Sequence, residues 1–143
     1  LRKDGVRAIG RALGLPEALF NRIPFPGPAL AARIIGAITA EKLDTVRKAT
    51  WVVERNLSNI KAFQYMAILH NDRVTGMSDG KRDFGQQIEI RCWDSIDART
   101  ASPTRLPFET LEKMAQEIID EVPGIVSVTY NITTKPPSTI EAI

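Results

Sequence analysis

The chain is poor in the residues that most directional chemistry uses. It has one cysteine, Cys92, and one histidine, His70, in 143 residues. A lone cysteine closes no internal disulfide, and a lone histidine forms no cluster with zinc-ligand spacing, so no metal site is expected and a reducing, cytoplasmic setting is. His70 sits beside no recognisable nucleophile pattern, so no residue is assigned as catalytic. Phosphate-cradling glycine loops are also missing, since neither GxxxxGK before Ser or Thr nor GxGxxG occurs. No apolar run approaches the roughly 18 residues that span a bilayer, and no charged start followed by an apolar stretch reads as a signal peptide. Nineteen Lys plus Arg against seventeen Asp plus Glu leave a formal charge of +2, too slight for a general nucleic-acid or membrane surface. Any function therefore rests on local binding elements.

What is present suits one globular domain. At 43% hydrophobic and 25% charged, the chain can bury its own core. From Asp4, a candidate cap, Val6, Ile9 and Leu13 recur at helical spacing until Gly14 and Pro16 stop them. Arg22-Ile23-Pro24-Phe25-Pro26-Gly27-Pro28 forbids both helix interior and central strand, and is expected as a fixed loop packed around Phe25. Leu43, Val46, Thr50, Val53, Leu57 and Ile60 predict the longest helix, capped by Thr39, with Trp51 and Val52 widening its core face or meeting a partner subunit.

The period then becomes twofold. Phe63, Tyr65, Ala67 and Leu69 alternate with Gln64, Met66 and Ile68, and Ile88, Ile90 and Cys92 with Gln87, Glu89, Arg91 and Trp93. Residues 73–77 read as a further strand, turned by Asp79-Gly80 into a hairpin. Pro107 opens a helix with Phe108, Leu111, Ala115, Ile118, Ile119 and Val122 on one face, stopped at Pro123-Gly124, and Val126 to Ile132 forms a last strand. The expected class is α+β, a small antiparallel or mixed sheet with helices packed on one face.

Beyond the last strand lies Lys135-Pro136-Pro137-Ser138-Thr139-Ile140-Glu141, a cation and an anion on a segment stiffened by two prolines. It reads as a solvated tail or as a clamp on a ligand.

These segments resemble a known family. Arg22 to Leu30 resembles the Arg-x-Pro-Phe-Pro-Gly-Pro-Gly-Leu loop of the C-terminal part of GMP synthetase, and Lys135 to Glu141 its Lys-Pro-Pro-x-Thr-Ile-Glu ending. Residues 1–7, 13–16, 34–36, 105–107 and 121–124 extend the match in order along the chain. The resemblance implies that residues 1–20 are the trailing end of an ATP pyrophosphatase domain, whose Ser-Gly-Gly-x-Asp-Ser loop does not occur here, and that residues 21–143 are the dimerisation domain. It implies a homodimer that binds xanthosine monophosphate (XMP), aminates it to GMP with ATP and Mg, held mainly by the preceding domain, and receives ammonia from a glutamine amidotransferase domain or subunit.

The roles that the resemblance implies fall on particular residues. Lys3 would face the phosphates of ATP. Arg22, Pro24, Phe25, Pro26, Gly27 and Pro28 would wall the purine, Gln64 would contact substrate, and Lys135, Thr139, Ile140 and Glu141 would close over the nucleotide. Lys135 and Arg82 would each offer charge-assisted bonds to its phosphate, and Lys81, an extra residue in the hairpin, could substitute for a phosphate ligand lost at Ser127. The chain departs from the family at Ala29, where a glycine is usual, at Ser127, where an arginine is common, and at Ala142-Ile143, where the family ends in Trp-Glu. A second reading, from another class, is therefore a non-catalytic dimerisation or nucleotide-sensing module.

Overall fold

A computed structural model describes residues 2–143. The class is α+β, with α1 Lys3–Ala12, α2 Glu17–Phe20, a 3-10 turn Ala29–Arg33, α3 Ala40–Leu57, β1 Gln64–Ser78, β2 Lys81–Asp94, β3 Ser102–Pro103, α4 Phe108–Glu121 and β4 Ile125–Tyr130. Asp79 and Gly80 turn the β1–β2 hairpin with φ of 50° and 74°, the left-handed pair whose twist matches an antiparallel ribbon. The two strand runs expected before that turn are one strand. Its pairing shifts register between Leu69 and Arg73, so an irregularity at residues 70–72 bends β1 without ending it. The chain leaves β2 and returns through α4 to lay β4 parallel to β2, which makes the sheet mixed.

Alternation along these strands divides the sheet into two faces. Ala67, Leu69, Ile88, Ile90 and Cys92 meet Val46, Ala49, Val53 and Leu57 of α3 and Met114 and Ile118 of α4 in the main core. Thr39 caps α3 by accepting from the Lys42 amide at 3.2 Å, as its position in the sequence implies. Of the two residues beside the α3 stripe, Val52 is buried and widens the core face, whereas Trp51 is 62% exposed. Phe108, expected on the inner face of α4, is 70% exposed, because it lies in the first turn of the helix while the contacts with the core begin at Leu111. Nor does Asp4 cap α1. It lies inside the first turn, and the capping position is Arg2, which makes no side-chain bond.

The opposite sheet face carries a second cluster, Met66, Ile68, Trp93, Ala101 and Ile140. Ile140 belongs to the C-terminal segment, so the tail itself covers part of this face. No helix among the described residues is long and apolar enough to cross a membrane.

Arg55 fastens α3 to α4, donating from Nε to Glu117 at 3.2 Å and from Nη1 to Glu121 at 2.9 Å. An Asn56 amide bond and Arg55 hold the Glu117 carboxyl below its ordinary 4.5, and Arg55 does the same for Glu121. A carboxyl whose folded-state pKa is depressed adds stability that is complete above the unfolded value and fades as pH falls through the folded one. Stability should therefore decline below about pH 4.5, and Arg55→Met should flatten that decline in urea titrations between neutral pH and pH 3.

Ala29 starts the 3-10 turn at φ 58°, where a Cβ is strained by roughly 1–2 kcal/mol. Glycine relieves the strain but adds roughly 0.4–1 kcal/mol of unfolded-state entropy to lose. Ala29→Gly is expected to stabilise the chain by roughly 0.5–1 kcal/mol, read as a higher urea midpoint with unchanged slope.

Candidate functional site

The site is built where the C-terminal tail crosses the sheet face that the helices leave open. Gln64, at the start of β1, is buried at 3% exposure and lies opposite Trp93 on β2. Residues two apart on a strand share a face, so Gln64, Met66 and Ile68 align with Trp93, Arg91 and Glu89 across the pair. Arg91 is the anchor for the tail. Its Nη1 donates to the Thr139 carbonyl at 2.9 Å and reaches the Glu141 and Ile140 carbonyls at 3.3 and 3.4 Å, while its Nε bonds Glu89. Glu89 in turn bonds His70 Nε2 at 2.6 Å, which gives the lone histidine a carboxylate partner. Ile140 fills the cluster beneath.

Glu141 is thereby delivered to a fixed place. Its Oε1 accepts from Gln64 Nε2 at 2.6 Å, and its Oε2 stands 3.7 Å from Nε of Arg33. Arg33 ends the 3-10 turn that follows the proline-rich loop, and its guanidinium lies 4.9 Å from the centroid of the Phe25 ring. Phe25 is not packed into a core, as the loop's composition suggests, but is 56% exposed and rests on that cation. The ring replaces burial with a cation–π contact and leaves its other surface open.

Lys135 stands one step away. Its backbone pairs with Ala101 in both directions at 2.8 and 3.0 Å, and its Nζ donates to the Ala98 carbonyl at 2.7 Å. The loop it grips is internally braced. Ser95 Oγ donates to the Thr100 carbonyl at 2.6 Å, and the Arg99 and Thr100 amides hold the Asp97 carboxyl below its usual value. Beside this loop opens a cleft of about 840 Å³ lined by Arg7, Lys61, Asp94, Asp97 and Ser102 among others.

Comparison with known proteins bears on this arrangement. The model of the GMP synthase C terminal domain matches residues 52–142. The chain belongs to the GMP synthase C-terminal domain family. The glutamine-hydrolyzing GMP synthase of Pyrobaculum aerophilum is 48% identical to it over 143 residues, covering 97% of this chain and 28% of that protein. That of Caldanaerobacter subterraneus subsp. tengcongensis is 44% identical over 99% of this chain and 28% of its own length. In Methanothermobacter thermautotrophicus the relative is named as one subunit of a glutamine-hydrolyzing GMP synthase, and it is 43% identical over 99% of this chain and 47% of its own length. The chain spans less than half the length of these curated relatives.

Of the residues to which the resemblance gives a role, the structure gathers Phe25, Gln64, Thr139, Ile140 and Glu141 around the tail, with Pro24, Pro26, Gly27, Pro28 and Arg22 on the adjoining loop and Lys135 next to it. Lys81 and Arg82 are exposed at the hairpin tip, at the other end of β1 and β2 from Gln64. At about 3.3 Å per residue the length of β1 separates the two ends by on the order of 40 Å. Lys3 lies exposed in the first turn of α1. Ser127, where the family commonly has arginine, donates to Gln87 Oε1 at 3.2 Å.

Sequence reasoning missed Arg33, Arg91 and Glu89. A signal existed for each, since Arg33 is the one charge within Leu30 to Ile35, and Glu89 and Arg91 alternate with buried isoleucines. Arg91→Gln should release the tail, which limited proteolysis would register as roughly tenfold faster cleavage within residues 138–142 with α3 unaffected.

Proposed function

We propose that this chain is the substrate-binding and dimer-forming C-terminal part of a GMP synthase. The full-length ligase would use ATP to adenylylate O2 of XMP and let ammonia displace AMP, giving GMP. The observation that carries the reading is the meeting of the two longest family motifs: Glu141 of the tail, 77 residues from Gln64, sits on Gln64 and on the cation that stacks under Phe25. An exposed aromatic face beside a carboxylate and an amide suits a purine, whose rings stack and whose edge offers N–H groups and carbonyls. Lys135 Nζ has three donors and gives one to Ala98, which leaves charge and donors for a phosphate dianion.

The remaining parts of the reading rest on placement. Residues 1–20 leave Val6, Ile9, Leu13 and Leu19 exposed, which supports their packing on a preceding ATP pyrophosphatase domain. The family resemblance assigns ATP and Mg to that preceding part, with Lys3, exposed in the first turn of α1, reaching toward the nucleotide. The distance between the hairpin tip and Glu141 supports a homodimer in which Lys81 and Arg82 of one copy serve a nucleotide held by the tail of another. Several relatives are named as single subunits of a glutamine-hydrolyzing synthase, which supports a separate glutamine amidotransferase partner, and the setting is cytoplasmic. Ser127 on Gln87 is the one observation that favours a nucleotide-sensing module without turnover.

The test is conversion of XMP to GMP by the full-length protein with ATP and ammonia. Lys135→Ala is expected to raise the KM for XMP about tenfold or more, the loss of one charged hydrogen bond, and to leave the KM for ATP within about twofold. Tight XMP binding without GMP formation would favour the sensing module, and neither binding nor turnover would overturn both.

A further inference from the structure

Arg33 is only 2% exposed, yet it has no closed salt bridge. A guanidinium keeps its charge at any working pH, so burying it is unfavourable unless its surroundings offset the lost hydration. Two groups do so. The Phe25 ring lies 4.9 Å from its Cζ, and Glu141 Oε2 lies 3.7 Å from its Nε. That separation is too long for a hydrogen bond, and both the Nε and the Oε2 are buried with no hydrogen-bond partner. The pair attracts across a gap, between the turn that follows the purine-walling loop and the tail that faces it.

We infer that Arg33 is a positioning residue, which sets the spacing between the Pro24–Pro28 loop and the C-terminal tail and so aligns Phe25 and Glu141 on the base of XMP. The inference rests on the proposed purine site. Gln64 and Arg91 touch the tail, whereas Arg33 touches tail and loop together, stacking on one and pairing in charge with the other. Its place at the end of the 3-10 turn makes this mechanically direct, because the backbone that ends in Arg33 begins at Ala29, one residue after the loop.

The experiment is steady-state kinetics of the full-length protein in XMP and in ATP, with melting temperatures. Arg33→Met should raise the KM for XMP about tenfold and leave the KM for ATP within about twofold. Arg33→Lys, which keeps the charge without the planar fork, should recover part of that loss. In the Glu141→Gln background, Arg33→Met should add less than about twofold, since both changes break one coupling. Fully multiplicative effects, or equal losses in both KM values and kcat, would overturn the inference. Should Arg33→Met not fold, the cycle of Phe25→Leu with Glu141→Gln decides: coupling through Arg33 makes their effects on the XMP KM non-multiplicative, and independence overturns it. The purine-site reading fails separately, if Glu141→Gln and Lys135→Ala each leave the XMP KM unchanged.

Discussion

The structure depends on β2 being paired along both edges. It takes β1 on one side along most of its length, and on the other side β4 at residues 86–90 and β3 at 93–94, so its inner half is held as extended strand from both sides. Each successive residue is then committed to one face or the other. Ile88, Ile90 and Cys92 go to the helices, and Glu89, Arg91 and Trp93 go to the opposite face. Burial pushes the Cys92 thiol above its ordinary value, as befits a core residue, and does the same to the Tyr130 phenol beside it. The helix face thus holds apolar groups and titratable groups kept neutral, while the other face holds charge.

That second face needs a cover, since Met66, Ile68 and Trp93 would otherwise stand in water. The cover is the last segment of the chain. Ile140 supplies the apolar contact, and Arg91 supplies donors to carbonyls that no strand or helix satisfies. The residues that bury the sheet also carry Glu141 to Gln64, so lifting the tail would expose part of the second cluster and break that contact together. Covering segments of this kind belong to the low-stability end of a fold.

How much of this is legible in the sequence follows from which signals are local. The period of Val46 to Leu57, the Thr39 cap and the Asp79-Gly80 turn are settled by neighbours within four residues, and each stands where the pattern puts it. The two motifs of the site are legible as motifs, because prolines at fixed spacing with one aromatic or one cation are rare by chance. What cannot be read is the partner of each group. Phe25 is expected in a core because exposing a ring wastes apolar area, and nothing nearby in sequence announces that Arg33 lies beneath it. Trp51 and Phe108 sit close enough to an apolar stripe to count as core, but helix length and the extent of the sheet decide their burial, and these are tertiary facts.

The same reasoning explains why the charges of this face go unread. A carboxylate or guanidinium on a strand is ordinarily a solvated residue, and alternation alone marks Glu89 and Arg91 as the outward set. Their burial follows only when a third segment crosses them, and that segment lies some fifty residues away. Once the tail is in place, the cost of half-burying Arg91 is offset by a carboxylate on its Nε and by carbonyls on its Nη1. Arg33 is buried more deeply and is given less. The difference between these two arginines separates a residue that fastens the tail from one whose remaining bonding capacity is held in reserve beside the exposed face of Phe25.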